Sequence, residues 1–129
     1  MKSRRGLTLL ELLMVIAILG TIAGIAVPTF IKYVDTARVT VSISVMDSLR
    51  KDLEVYHDQH QAYPARVDFT NFTDQNGNSI LFSLNDVVLQ KKIFSWDSYV
   101  ASDGTYTITV KAMDTNHTVL ILTPGGIKK

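Results

Sequence analysis

Cysteine is absent from the 129 residues, which excludes disulfides, thiolate metal sites and a cysteine nucleophile. Stability must come from packing and hydrogen bonds. Charge is missing from residues 12–31 altogether. That twenty-residue run is long enough to cross the hydrocarbon core of a bilayer as a helix. A basic patch is lacking too. The formal net charge is +1, and without Lys2, Arg4 and Arg5 it becomes −2, from ten basic and twelve acidic side chains. A nucleic-acid surface is therefore not expected. The length leaves room for one domain beside the apolar run.

Against these absences, Glu11 stands out as the only charge between Gly6 and Ile31. A carboxylate near the end of a membrane-spanning helix costs roughly 2–3 kcal/mol on insertion scales. A secretory signal peptide accounts for Lys2 to Arg5 and the apolar stretch, with cleavage after Gly24-Ile25-Ala26. A plain signal anchor accounts for them equally, its basic end held in the cytoplasm. Neither gives Glu11 a reason to exist.

A third reading does. Gly6-Leu7-Thr8-Leu9-Leu10-Glu11 and the apolar stretch after it resemble the N-terminal motif of type IV pilins and type II secretion pseudopilins. Leu7 departs from the commoner Phe of that family. The resemblance covers residues 4 to about 34 and identifies a superfamily, not a particular machine. It implies a leader of residues 1–6, cut between Gly6 and Leu7 by a prepilin peptidase/methyltransferase that methylates the new amine of Leu7. It also implies a hydrophobic transmembrane or filament-core segment over 7–31, and an amphipathic helix half plus globular head over 32–129. Glu11 would pair with a neighbour's N-terminus, and Pro28 stands where many members have a proline. The implied partners are other copies in a helical filament, an assembly ATPase and a platform protein. The implied location is the bacterial inner membrane as a single-pass precursor, then an extracellular pilus or a periplasmic pseudopilus. The implied fold is α+β, a long N-terminal helix packed through its C-terminal half on a small antiparallel sheet.

Residue patterning supports the same architecture. Residues 7–31 are apolar all round, as for a helix in lipid or a filament core. Gly20 and Gly24, with Ala23 and Ala26, offer a surface for close helix approach. Pro28 is expected to bend or break the helix. Beyond it Val34, Val41, Val45, Leu49, Leu53 and Tyr56 mark one apolar face. Asp35, Arg38, Asp47, Arg50, Lys51, Asp52 and Glu54 fall on the others. Tyr63-Pro64 ends the helix, which would run about 80 Å. Gln75-Asn76-Gly77-Asn78 signals a turn. Asn85 would cap a short helix to Lys91. Strands are expected over 98–101, 105–112 and 118–123, the last ended by Pro124-Gly125-Gly126 before a short basic tail.

No catalytic constellation emerges, so an enzyme is not expected and no cofactor or metal is assigned. His57 and His60 beside Asp58 form at most a two-imidazole pair, better read as solvated. Asp97, Asp103 and Asp114 sit in separate turns, without a compact calcium loop. Asn71-Phe72-Thr73 and Asn116-His117-Thr118 match the glycosylation pattern. Phe30 and Tyr33 suit a lipid–water boundary, and Tyr56 the packed stripe, better than an electron path. A soluble secreted binding domain remains the competitor outside the family.

Overall fold

The structure, a computed structural model, describes residues 6–129; Lys2, Arg4, Arg5 and the rest of the expected leader before Gly6 lie outside the described residues. The chain divides into two units, one ending at Val34 and the other Asp35–Lys129.

Helix α1, Leu9–His60, spans 52 residues and contributes to both units. In the first unit every described residue up to Tyr33 is exposed. Pro28 lies inside α1, and the helix continues through it, so the expected break does not occur as a termination. Pro28 removes one N–H and so leaves the Gly24 carbonyl without its usual intrahelical donor. In apolar surroundings such positions are tolerated when nearby polar groups are satisfied locally. The two threonine hydroxyls of this stretch are likewise satisfied within the helix. Thr21 donates to the Ala17 carbonyl at 2.9 Å and Thr29 to the Ile25 carbonyl at 3.0 Å.

In the second unit α1 packs on a four-stranded antiparallel sheet, giving the expected α+β fold. The buried seam is Val39, Ser42, Met46, Leu49, Leu53 and Tyr56, in alternating steps of three and four. Val41, expected on that face, is instead 42% exposed. It lies off the three-four rhythm, and Ser42 takes the inward place. A serine fits there because its hydroxyl reaches two carbonyls, of Arg38 at 3.1 Å and Lys92 at 2.9 Å.

A short helix α2, Asp86–Lys92, follows, with the Asn85 side chain accepting from the Val87 N–H as its cap. It runs directly into β1, Ile93–Ser102, which starts five residues earlier than the pattern suggested. Two register irregularities, between Ile93 and Ser95 and between Trp96 and Ser98, blur the alternation there. Strand β2, Thr105–Ala112, alternates cleanly and buries Tyr106, Ile108, Val110 and Ala112. Strand β3, Val119–Thr123, inserts Leu120 and Leu122.

The expected basic tail is in part a fourth strand, β4, Gly126–Lys128, with Ile127 opposite Leu122. Gly126 adopts φ 137°, a conformation open to glycine, which lets the chain reverse after Pro124. The Thr123 hydroxyl closes the turn on the Gly126 carbonyl at 3.1 Å.

Candidate functional site

The N-terminal site begins outside the helix. Gly6, Leu7 and Thr8 are non-helical and exposed, so the Gly6–Leu7 bond lies open. Thr8 then starts α1. Its carbonyl accepts from the Leu12 N–H at 3.1 Å, and its hydroxyl accepts from the Glu11 N–H at 3.2 Å. Glu11 returns the contact, its Oε2 accepting from the Thr8 N–H at 3.0 Å. This reciprocal pair is a capping box, which satisfies two otherwise orphaned donors at a helix start. It also brings the carboxylate to the positive end of the helix dipole. Thr8 was not singled out from the sequence. The signal was there, a Thr followed three residues later by Glu before an apolar run.

Beyond Glu11 the segment presents large apolar side chains on all sides, from Val15 at 49% to Ile25 at 71% exposed. Beyond the adjoining residues and the helix's own nearby backbone, nothing lies within 4 Å of where a Cβ would stand on Gly20 or Gly24. Both positions are open to close approach by another helix. α1 is the one helix, among the described residues, long and apolar enough to cross a membrane.

The other candidates are dispersed through the second unit. His60 stacks on Tyr56 at 4.1 Å and His57 packs against Tyr63 at 4.6 Å, so each ring of the considered metal pair faces a tyrosine. Asp97 pairs with Lys111 at 3.5 Å. Asp103 sits in the β1–β2 turn, and Asp114 accepts from the Thr118 N–H and hydroxyl at 2.8 and 2.6 Å. No group of three or more metal-ligating side chains occurs among the described residues. Asn71 and Asn116 are exposed; Phe30 and Tyr33 lie on the exposed stretch, while Tyr56 is in the core.

Two buried carboxylates organise the loops. Asp52, expected on the polar face, is 2% exposed. It accepts from the N–H groups of Phe82, Ser83 and Leu84 and from the Ser83 hydroxyl at 2.6 Å. Asp74 takes the Tyr56 hydroxyl at 2.8 Å and the N–H groups of Asn76 and Asn78 at 2.8 and 2.9 Å. Burial works to raise the Asp74 pKa, but these donors outweigh it and hold the carboxyl below its ordinary value. Tyr56 is pushed up to about 12 by burial, then by its bond to Asp74. Both carboxylates are parts of the scaffold. The functional candidate is the N-terminal segment.

Comparison with known proteins points to that segment. Residues 1–27 match the model of the prokaryotic N-terminal methylation motif. A fimbrial protein of Pseudomonas aeruginosa is 39% identical over 54 residues, which are 42% of this chain and 35% of that protein. A fimbrial protein of Moraxella nonliquefaciens is 38% identical over 53 residues, 41% of this chain and 34% of that one. The type II secretion system core protein G of Klebsiella michiganensis is 28% identical over 99 residues, 77% of this chain and 64% of that protein. The matches thus span about a third of the fimbrial proteins and under two thirds of core protein G. No solved structure shows a significant match. The motif and the apolar α1 together fit a membrane-anchored precursor.

Proposed function

We propose that this chain is a structural subunit of a type IV pilus or pilus-like filament, a prepilin cleaved between Gly6 and Leu7 and methylated on the new amine of Leu7. The observation that carries the reading is the conjunction at the start of α1. An exposed, non-helical Gly6–Leu7 bond stands just before a capped Glu11, and a charge-free surface exposed on all sides follows. That surface has no partner within its own unit, so it needs lipid first and other subunits afterwards. The bacterial inner membrane holds the precursor; the extracellular filament holds the mature subunit. Catalysis has no part in this role, and neither does a cofactor.

Assembly needs a directional element, because lipid is as apolar as the helices and helix association gains little from the hydrophobic effect. Glu11 supplies it by accepting the amine of Leu7 from the neighbouring subunit. Extraction from the bilayer falls to the assembly ATPase acting through the platform protein.

A second reading is the type II secretion pseudopilin, which ends in a short periplasmic filament. One observation favours it. The match to core protein G covers 99 of 129 residues and so includes residues 31–99 wherever it begins, whereas the fimbrial matches cover 53 to 62. Intact-mass and N-terminal mass spectrometry of protein from its native membrane tests what the two readings share. A chain beginning at Leu7 with one added methyl group is expected. A chain beginning at Val27 would mean ordinary signal-peptide cleavage and end both readings. Surface pili, or secretion lost on deletion, then separates them.

A further inference from the structure

We infer that the end of the second unit nearest residue 35 is a docking surface for the anionic lipid headgroups of the membrane in which the precursor is anchored. The inference rests on the membrane-inserted reading of residues 7–31 and adds a second, peripheral contact to it.

Three ties within the unit locate that end. Asp52 holds residues 82–84 against α1, and the Ser42 hydroxyl, ten residues earlier and about 15 Å along the helix, holds the Lys92 carbonyl. The segment carrying α2 therefore travels toward the start of the unit and brings its last-turn lysines, Lys91 and Lys92, with it. Asp35 then accepts from the N–H and hydroxyl of Thr115 at 3.2 and 3.1 Å, which brings the β2–β3 turn to the same end. Phe94 and His117 stack at 3.8 Å and join the two.

What gathers there is apolar and basic together. Phe94 is 53% exposed and Met113 40%. Arg38, Lys91 and Lys92 are exposed beside them, and neither lysine is in an ion pair among the described residues. Of the nearby carboxylates, Asp35 meets Arg38 and Thr115, Asp97 meets Lys111, Asp114 is buried on Thr118, and Asp86 is at the opposite end of α2. An aromatic and a methionine rimmed by lysines match a headgroup region, where rings sit at the boundary and lysines meet phosphate. Chain connectivity supplies the occupant. Asp35 is only four residues in sequence past the end of the charge-free run, so the chain itself tethers the second unit to the bilayer.

The absence of cysteine makes the test direct. Single variants A17C, M113C and S102C of the full chain are labelled with an environment-sensitive fluorophore and reconstituted in phosphatidylcholine vesicles with or without phosphatidylglycerol. Spin-labelled lipids then quench at known depth. Quenching at 17 by deep labels establishes insertion, and its failure would remove the membrane reading itself. With insertion present, shallow labels should quench position 113 in anionic vesicles and leave position 102, at the far end of β1, in water. K91Q/K92Q should lower the docked-to-undocked ratio at 113 roughly 25-fold, about fivefold for each charge near an anionic surface. Equal quenching at 113 and 102, no dependence on phosphatidylglycerol, or a blue shift at 113 without lipid quenching would each overturn the proposal. The last would assign the surface to a protein neighbour.

Discussion

At the scale of single residues, two tyrosines of the core make opposite predictions. The Tyr99 hydroxyl donates to the Pro64 carbonyl at 2.6 Å, whereas the buried Tyr106 hydroxyl has no hydrogen-bond partner among the described residues. Removing a satisfied group should cost and removing an orphan should not. Tyr99→Phe is expected to lose about 1 kcal/mol, and Tyr106→Phe to be neutral or more stable by up to about 1 kcal/mol. Denaturant unfolding followed by Trp96 fluorescence checks both, since that lone tryptophan stacks on Phe69 and meets Phe72 edge to face against the core. Asp74 and Tyr56 each contribute to the pH dependence, as do Asp114 on the acid side and Tyr99 and Tyr106 on the alkaline side. The Asp74 pKa is lowered on folding, so its contribution is complete above the ordinary 3.8 and disappears as pH falls through the lower folded value. Tyr56 is raised from 10.0 to about 12, so its contribution is complete below 10 and disappears as pH climbs to about 12. The same fluorescence signal should therefore show stability falling at both extremes, and Asp74→Asn should flatten the acid side.

At the scale of elements, the legibility of each segment followed how it earns its burial. Strand β2 was clear because its period-two pattern faces one apolar layer, and α2 because Asn85 is a strong cap. The α1 seam was half legible. Leu49, Leu53 and Tyr56 belong to it, but Ser42 and Asp52 are inward because distant backbone groups satisfy them. No hydropathy pattern anticipates such long-range partners. Strand β4 was hidden for a related reason, since a three-residue edge strand is stabilised by its neighbour and not by its own composition. At the N-terminal site Gly6, Leu7 and Glu11 were legible as a motif. The role of Thr8 was not, because the charge of Glu11 drew attention away from its spacing. Two substitutions on α1 separate the burial modes. Leu53→Ala should cost about 2–5 kcal/mol through the cavity it leaves. Asp52→Ala should cost about 3 kcal/mol by leaving the N–H groups of Phe82, Ser83 and Leu84 without their acceptor. Val41→Ala, on the exposed side of the same helix, should change stability by less than about 0.5 kcal/mol.

At the scale of the whole molecule, the proposed assembly would give Glu11 a second role. Within one chain it closes a capping box, worth about 1 kcal/mol to the start of α1. In a filament it would neutralise a neighbour's amine, and a buried charge left without its partner costs about 3–5 kcal/mol. The two roles call for different chemistry. A cap needs only an acceptor at the right spacing, which glutamine provides; pairing with an amine needs the negative charge. Glu11→Gln should thus keep the helix start and export while losing filament yield, and Glu11→Ala should lose the pairing and the side chain's half of the capping box. Thr8→Val, which removes the hydroxyl yet leaves the carboxylate, should loosen the first turn and spare much of the assembly. Filament yield by electron microscopy and leader removal by mass spectrometry are read side by side on all three. Wild-type yield from Glu11→Gln would reduce Glu11 to a cap. Direction and register would then have to come from the helix surfaces around Gly20 and Gly24, where Gly20→Leu becomes the decisive variant.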